Sequence, residues 1–172
     1  MKFPYFLCSV EDLISDPSIG NGLGAFKKRI LKQKVWEAPP IGFLKLNADG
    51  AMVSNGSKGG IGGIVCNNLG VCLDTFSIPI GPGPPIMAEF EAINHGLRTF
   101  FANRGFKKFR LVVETDCSIA IDWISNSAPC PAAFEHWVRS CREIIVSFSV
   151  VLRHVPRNIN LVADSLATEG IG

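Results

Sequence analysis

The sequence predicts an α/β domain: a five-stranded mixed sheet, its first three strands antiparallel, with helices packed on it in the order βββαβααβα. Three observations carry that prediction. Three apolar, strand-like runs follow one another with only short, turn-rich joints between them, as in a meander. A long segment of helical periodicity comes after a proline stop. Beyond it, strands and helices alternate, and strand–helix–strand units imply a mixed sheet with helices on its faces.

The elements can be justified in chain order. Residues 1–38 differ from the rest, with scattered turn residues in D-P-S-I-G-N-G-L-G, five basic residues between Lys27 and Lys34, and Pro39-Pro40 at the end. They read as a tail and linker, leaving 39–172 as the domain. The basic cluster suits a solvated surface helix or a phosphate-contacting arm. Strand-like runs cover Phe43 to Ala48, Ile61 to Cys66 and Val71 to Ile80, and G-P-G-P-P at 81–85 stops the third. The following segment has apolar residues at 87, 90, 93, 97, 100 and 101, a helical spacing, and Gly105 sits where that helix would end. F-R-L-V-V-E-T-D is a β-branched run ending on Asp116. C-S-I-A-I-D-W-I is a short helix with Ile119, Trp123 and Ile124 on one side, and P-A-A-F-E-H-W-V-R-S-C-R-E-I-I-V-S-F makes another. F-S-V-V-L-R-H-V is the fifth strand, and N-L-V-A-D-S-L-A opens a last helix near Asn160.

Composition bounds what such a domain can be. A chain of 172 residues with 47% hydrophobic content suffices for one packed core and not for two of ordinary size. A net charge of +2 singles out neither a polyanion binder nor an acidic-ligand binder, so any polyanion site is local. The six cysteines include no C-x-x-C pair and no companion histidines at zinc spacing, which favours buried free thiols. The N-terminus lacks the apolar run of a secretory signal, and no stretch approaches the ~20 apolar residues of a membrane span, so the expectation is an intracellular protein with no membrane association.

Four acids fall near element ends or first turns: Asp49, Glu89, Asp116 and Asp164. Helix capping or a helix dipole could explain the last three singly. Asp49 is different. Its parity places it with Lys45 and Asn47 on the face opposite Leu44 and Leu46, an open polar face at a strand end, and Gly50 would let the backbone turn sharply beside it.

The segments L-N-A-D-G-A, A-E-F-E-A-I, V-V-E-T-D-C-S-I-A-I and R-H-V-P-R-N-I-N-L-V-A-D-S-L-A resemble, in order and spacing, the four motifs of the ribonuclease H family. The form is that of plant reverse-transcriptase-like proteins and retroelement-derived domains, and the resemblance runs from about Ile41 to the C-terminus. It implies an RNase H-like fold and a hydrolase that cuts the RNA strand of RNA·DNA hybrids, leaving 5′-phosphates. By resemblance Asp49 is the metal-bridging aspartate, and Glu89, rather than Glu91, is the glutamate of A-E-x-x-A. Asp116 is the third carboxylate and Asp164 the fourth; Glu114 points the same way as Asp116 and reads as an outer or surface group. His154 stands ten residues before Asp164, where the family carries a mobile-loop histidine that moves protons or eases product release. His95 and His136 read as packing or surface residues.

The chemistry explains such clustering, because crowded carboxylates repel one another unless cations neutralise them. Oxygen-only ligands suit Mg²⁺ or Mn²⁺, and two such ions could activate a water and stabilise the leaving oxygen of a phosphodiester. The implied partner is an RNA·DNA hybrid, met by a monomer or by part of a larger retroelement-derived polyprotein. Hybrid recognition needs backbone amides and small polar groups near the 2′-hydroxyls, which Gly50, Ala51 and Asn55 could supply, with Lys58 and Arg157 on phosphates. Asn55-Gly56-Ser57 stands where the family often has N-P-G, and S-A-P-C-P-A-A stands where some members insert a basic helix, which implies weaker substrate binding. Two readings from other classes compete. One is a domesticated domain that binds nucleic acid or protein without turnover. The other is a phosphatase of the haloacid dehalogenase type, disfavoured because Asn47 and Ala51 replace the nucleophilic aspartate and the threonine of D-x-D-G-T.

Overall fold

The computed structural model describes residues 35–172; the basic cluster between Lys27 and Lys34 lies outside the described residues. The strands are β1 (Phe43–Met52), β2 (Gly59–Cys66), β3 (Cys72–Ile80), β4 (Arg110–Thr115) and β5 (Val151–His154). The helices are α1 (Pro85–Ala102), α2 (Ser118–Ile124), α3 (Glu135–Ser147) and α4 (Leu161–Gly170), with short 3-10 turns ahead of α3 and α4. The sheet order is β3-β2-β1-β4-β5. β1, β2 and β3 are antiparallel neighbours, whereas β4 runs parallel to both β1 and β5. This is the predicted mixed sheet and element order.

One face of the sheet carries α1, α2 and α3. Alternation along β1 puts Leu44, Leu46 and Ala48 on that face, all fully buried, against Phe90, Ile93 and Leu97 of α1. Burying such side chains stabilises the domain by about 1.5–3 kcal/mol each. The predicted periodicity of α1 holds, with Met87, Phe90, Ile93, Leu97 and Phe100 buried, but the helix ends at Ala102, before Gly105. In α2 the core face is Ala120, Ile121 and Ile124; Ile119 is half exposed, so the expected side was misplaced by part of a turn. His95 packs its ring against Phe76 and meets Thr99, the structural role expected for it, and its pKa is lowered by burial.

Among the described residues the other face carries α4 as its one helix, and here the sheet is lined with glycine. A Cβ on Gly62 would sit 2.2 Å from the Ala167 backbone nitrogen, so α4 rests directly on the β2 backbone. Lys45, Asn47 and Asp49 point to this face and are only 1%, 3% and 5% exposed. The expected open polar face is therefore closed. Long-range partners satisfy it: Lys45 pairs with Glu114 at 2.8 Å and donates to the Glu37 carbonyl oxygen, and Trp36 docks on Asn47. Residues 36 and 37, expected in the tail, thus touch the sheet. Glu114 is fully buried, which excludes the surface alternative and leaves it an outer group bonded to Asn47 and Lys45.

Five described cysteines, at 66, 72, 117, 130 and 141, are free thiols. Among the described residues no helix is long and apolar enough to cross a membrane.

Candidate active site

Register brings the first two carboxylates together. The parallel β1–β4 ladder ends at the pair Asn47↔Glu114, and two residues beyond each partner stand Asp49 and Asp116. β4 stops at Thr115, while β1 runs on to Met52 paired only with β2. A gap thus opens beside β1 past the carboxyl end of β4, the place where ligands bind in sheets with parallel strands. Asp49 is not at a strand end, as the sequence suggested, but inside β1, opposite Gly62.

Gly50 explains how a third acid arrives. The strand does not turn there. A Cβ on Gly50 would lie 2.2 Å from the Ala88 carbonyl carbon and 2.5 Å from the Glu89 nitrogen, so the missing side chain lets α1 descend onto β1 at this level. Glu89, in the second turn of α1 and not the first, is thereby lowered into the gap. Asp49, Glu89 and Asp116 each offer a carboxylate oxygen within 4.8 Å of the others, and Glu91 lies outside this group. Asp164, in the first turn of α4, lies outside this group of three, but its charge is near enough to Asp49 to raise the Asp49 pKa. Asp116 does not cap α2, whose N-cap is Cys117 without a side-chain cap bond.

Crowding shows in the protonation of the group. Burial, then Asp116 and Asp164, pushes Asp49 up to about 7. Burial, then Asp49 and Asp116, pushes Glu89 up to about 9. Burial and the neighbouring Glu89 raise the Cys117 thiol to about 12. Without cations the site therefore holds protons. Glu89 Oε2 is buried with no hydrogen-bond partner, an acceptor whose natural complement is a cation. An all-oxygen donor set of this kind fits Mg²⁺ or Mn²⁺.

The remaining expected residues are distributed around this cluster. His154 is the last residue of β5, paired with Thr115, and not on a loop; its exposed ring nitrogen lies 3.1 Å from the Asp116 carbonyl oxygen. Arg157, mostly exposed, donates to Asp164 Oδ1 at 2.7 Å. Gly50 and Ala51 follow Asp49 in β1, and the Gly50 backbone tempers the rise at both Asp49 and Glu89. Asn55 and Lys58 belong to the β1–β2 turn, where Asn55 Oδ1 accepts from the Ser57 amide and Lys58 Nζ donates to the Gly172 carbonyl oxygen. Residues 125–131 form no helix, in line with the short connection read from the sequence. Sequence reading passed over Asn160. It is 1% exposed, and its Nδ2 donates to the Ala48 carbonyl oxygen at 3.0 Å and towards Asp116 Oδ1 at 3.4 Å. Its one signal was an N-cap residue type directly ahead of the last helix.

Sheet order, parallel register and carboxylates gathered past β4 together define an RNase H-like α/β domain. Solved structures of that fold superpose on it. RNase H1 of Halobacterium salinarum covers 75% of this chain with 97% of its own, at a TM-score of 0.69 and 21% identity. LC11-RNase H1 from compost, solved with an RNA/DNA hybrid, covers 74% with 96% of its own at a TM-score of 0.67 and 21% identity. The protease-reverse transcriptase of prototype foamy virus, also solved with a hybrid, matches 74% of the chain with 19% of its own, at a TM-score of 0.57 and 19% identity. A family model described as Reverse transcriptase-like matches residues 47–170, and the chain belongs to that family. The Arabidopsis thaliana protein named "Putative ribonuclease H protein" is 29% identical over 150 residues, which are 86% of this chain. The chain spans 24% of that relative's length.

Proposed function

We propose that the chain is a metal-dependent endonuclease of ribonuclease H type that hydrolyses the RNA strand of RNA·DNA hybrids. The observation that carries this reading is the convergence of Asp49, Glu89 and Asp116 within 4.8 Å, with Glu89 Oε2 buried and unpartnered. Asp49 would bridge two Mg²⁺ or Mn²⁺ ions, Asp164 would help hold one, and Glu89 with Asp116 the other. When bound, such ions supply a water of lowered pKa and Lewis-acid stabilisation of a phosphodiester's leaving oxygen. The chain's own groups do the rest. β1 and α1 hold Asp49 and Glu89 in register through the close approach at Gly50, and the exposed His154 ring, its nitrogen 3.1 Å from the Asp116 carbonyl oxygen, would serve proton transfer at the edge of the site. Arg157 and Lys58 would contact phosphates, and Gly50, Ala51 and Asn55 the minor groove. Support for a nucleic-acid partner comes from the hybrid-bound state of LC11-RNase H1 and of the foamy-virus enzyme. A place within a longer retroelement-derived polyprotein fits the short span of the Arabidopsis relative that is matched.

The test is incubation of the protein with labelled RNA·DNA hybrid, double-stranded RNA and single-stranded RNA, in Mg²⁺, Mn²⁺ or chelator. Hybrid alone is expected to be cut, only with metal. Asp49→Asn should lower cleavage at least ~100-fold, since metal stabilisation is worth several kcal/mol, while leaving the fold intact. Cleavage that persists in chelator or in this variant would refute the assignment, and hybrid binding with no cutting would make the domain a binding module.

A further inference from the structure

A buried polar chain connects the segment before β1 to the carboxylates. Trp36 Nε1 donates to Asn47 Oδ1 at 2.9 Å. Asn47 Nδ2 donates to Glu114 Oε2 at 3.1 Å and to Asn160 Oδ1 at 3.2 Å. Asn160 Nδ2 then donates to the Ala48 carbonyl oxygen and towards Asp116 Oδ1. The direction of these bonds is determined by chemistry at two points. An indole N–H can only donate, so Asn47 must present its oxygen to Trp36; an ionised carboxylate can only accept, so Asn47 must present its nitrogen to Glu114. With Asn47 so oriented, Asn160 receives a donor on its oxygen and is left with its nitrogen for Ala48 and Asp116. Asn47 and Asn160 are 3% and 1% exposed, too buried for bulk water to replace a lost partner.

Asn160 stands at a junction. Its carbonyl oxygen accepts from the Asp164 amide in the first turn of α4, while its side chain reaches Asp116 and the β1 residue before Asp49. A rotation of this one carboxamide would disturb Asp116 and the β1 backbone next to Asp49 at once, while the backbone of the same residue anchors the turn that carries Asp164. Packing on both sides holds Trp36 in its place at the head of the chain. Its ring lies 5.1 Å from Lys45 Nζ, and the place of a Cβ on Gly70 in the β2–β3 turn is 3.6 Å away.

We propose that Trp36 and Asn47 are positioning residues for the carboxylate cluster, acting through Asn160 on Asp116 and on the start of α4. The segment ahead of β1 is then part of the site's scaffold and not a dispensable linker. The metal and activity readouts rest on the nuclease reading; the hydrogen-bond relay itself does not.

The test compares the full chain with Trp36→Phe, which keeps an aromatic ring at this position and removes the donor together with part of the ring, and with Asn160→Ala. Outer partners of metal ligands typically set affinity by 10–100-fold. Asn160→Ala should weaken Mn²⁺ binding by about that factor, and Trp36→Phe, one residue further removed, by roughly threefold to tenfold. In the Asn160→Ala background, Trp36→Phe should add no further loss. The Asn160 side-chain amide signals should shift in the ¹H–¹⁵N NMR spectrum of Trp36→Phe, and kcat should fall with KM little changed. A merely structural role would lower the melting temperature and leave Mn²⁺ affinity, measured well below the melting midpoint, untouched. That result, unmoved Asn160 signals, or additive losses in the double variant would overturn the proposal. Should the wild type bind no Mn²⁺ and cut nothing, the nuclease reading fails, and the Asn160 signals alone decide this one: a shift supports it, and its absence overturns it.

Discussion

Replacing Gly50 by alanine tests whether the metal site is made by a close approach of helix to strand. The added Cβ would meet the Ala88 carbonyl carbon at 2.2 Å, its oxygen at 2.5 Å and the Glu89 nitrogen at 2.5 Å, all backbone atoms that cannot rotate aside. Ordinary contact begins at 3.4 Å, so α1 has to retreat by roughly 1 Å at this turn, an overpacking that costs about 1–3 kcal/mol or more. The helix carries Glu89, so the retreat withdraws one ligand from the other two. A misplacement of about 1 Å can cost ~100-fold in rate. Denaturant unfolding, Mn²⁺ titration and hybrid cleavage should be compared with Gly81→Ala, whose Cβ would meet nothing within 4 Å. Gly50→Ala should lose stability, Mn²⁺ affinity and activity while Gly81→Ala stays close to wild type. If Gly50→Ala kept wild-type Mn²⁺ affinity and cleavage, the close approach would not be what sets Glu89 in place.

Further predictions follow from the charges. Asp49 and Glu89, raised to about 7 and about 9 from 3.8 and 4.5, keep protons that the unfolded chain has already released. Stability without metal should therefore be greatest at or below the unfolded values and fall as pH rises through about 7 and about 9, with Mn²⁺ affinity rising over the same range because protons and cations compete. Melting curves in chelator that are flat or rise with pH across this window would contradict the assignment. Lys45→Met leaves the Glu114 carboxylate buried, with Arg153 at 3.6 Å as its remaining cation. Breaking a buried pair on one side costs about 3–5 kcal/mol, whereas Lys45→Met with Glu114→Leu should recover much of the loss; urea unfolding of both variants measures it, and equal stabilities would argue against the pair. Asp49→Asn removes one of the crowded acids, so the metal-free melting temperature should rise at pH 8 even as cleavage falls, a combination that a merely unfolded variant cannot show.

Much of the domain is written locally. The alternation of Leu44, Leu46 and Ala48 and the spacing of Phe90, Ile93 and Leu97 mark β1 and α1 because burial on one face leaves a period in the sequence. Proline and glycine punctuation separates the elements, and the order βββαβααβα follows. The candidate ligands Asp49, Glu89, Asp116 and Asp164 were legible through motif order; the structure gathers the first three within 4.8 Å of one another, with Asp164 outside that group but close enough to raise the Asp49 pKa. Other features have no local signature. A glycine needed for a turn and a glycine needed for close approach look alike in sequence, so Gly50 read as the end of a strand that in fact continues to Met52. The polar face of β1 read as open because Lys45, Asn47 and Asp49 are polar, yet their partners Glu114 and Asn160 lie 67 and 113 residues from Asn47. Only the tertiary structure could bring those groups within hydrogen-bonding distance. Residue type and period thus determined the elements and nominated the ligands; the parallel β1–β4 register, the descent of α1 onto Gly50 and the closure by α4 decided that they form one site.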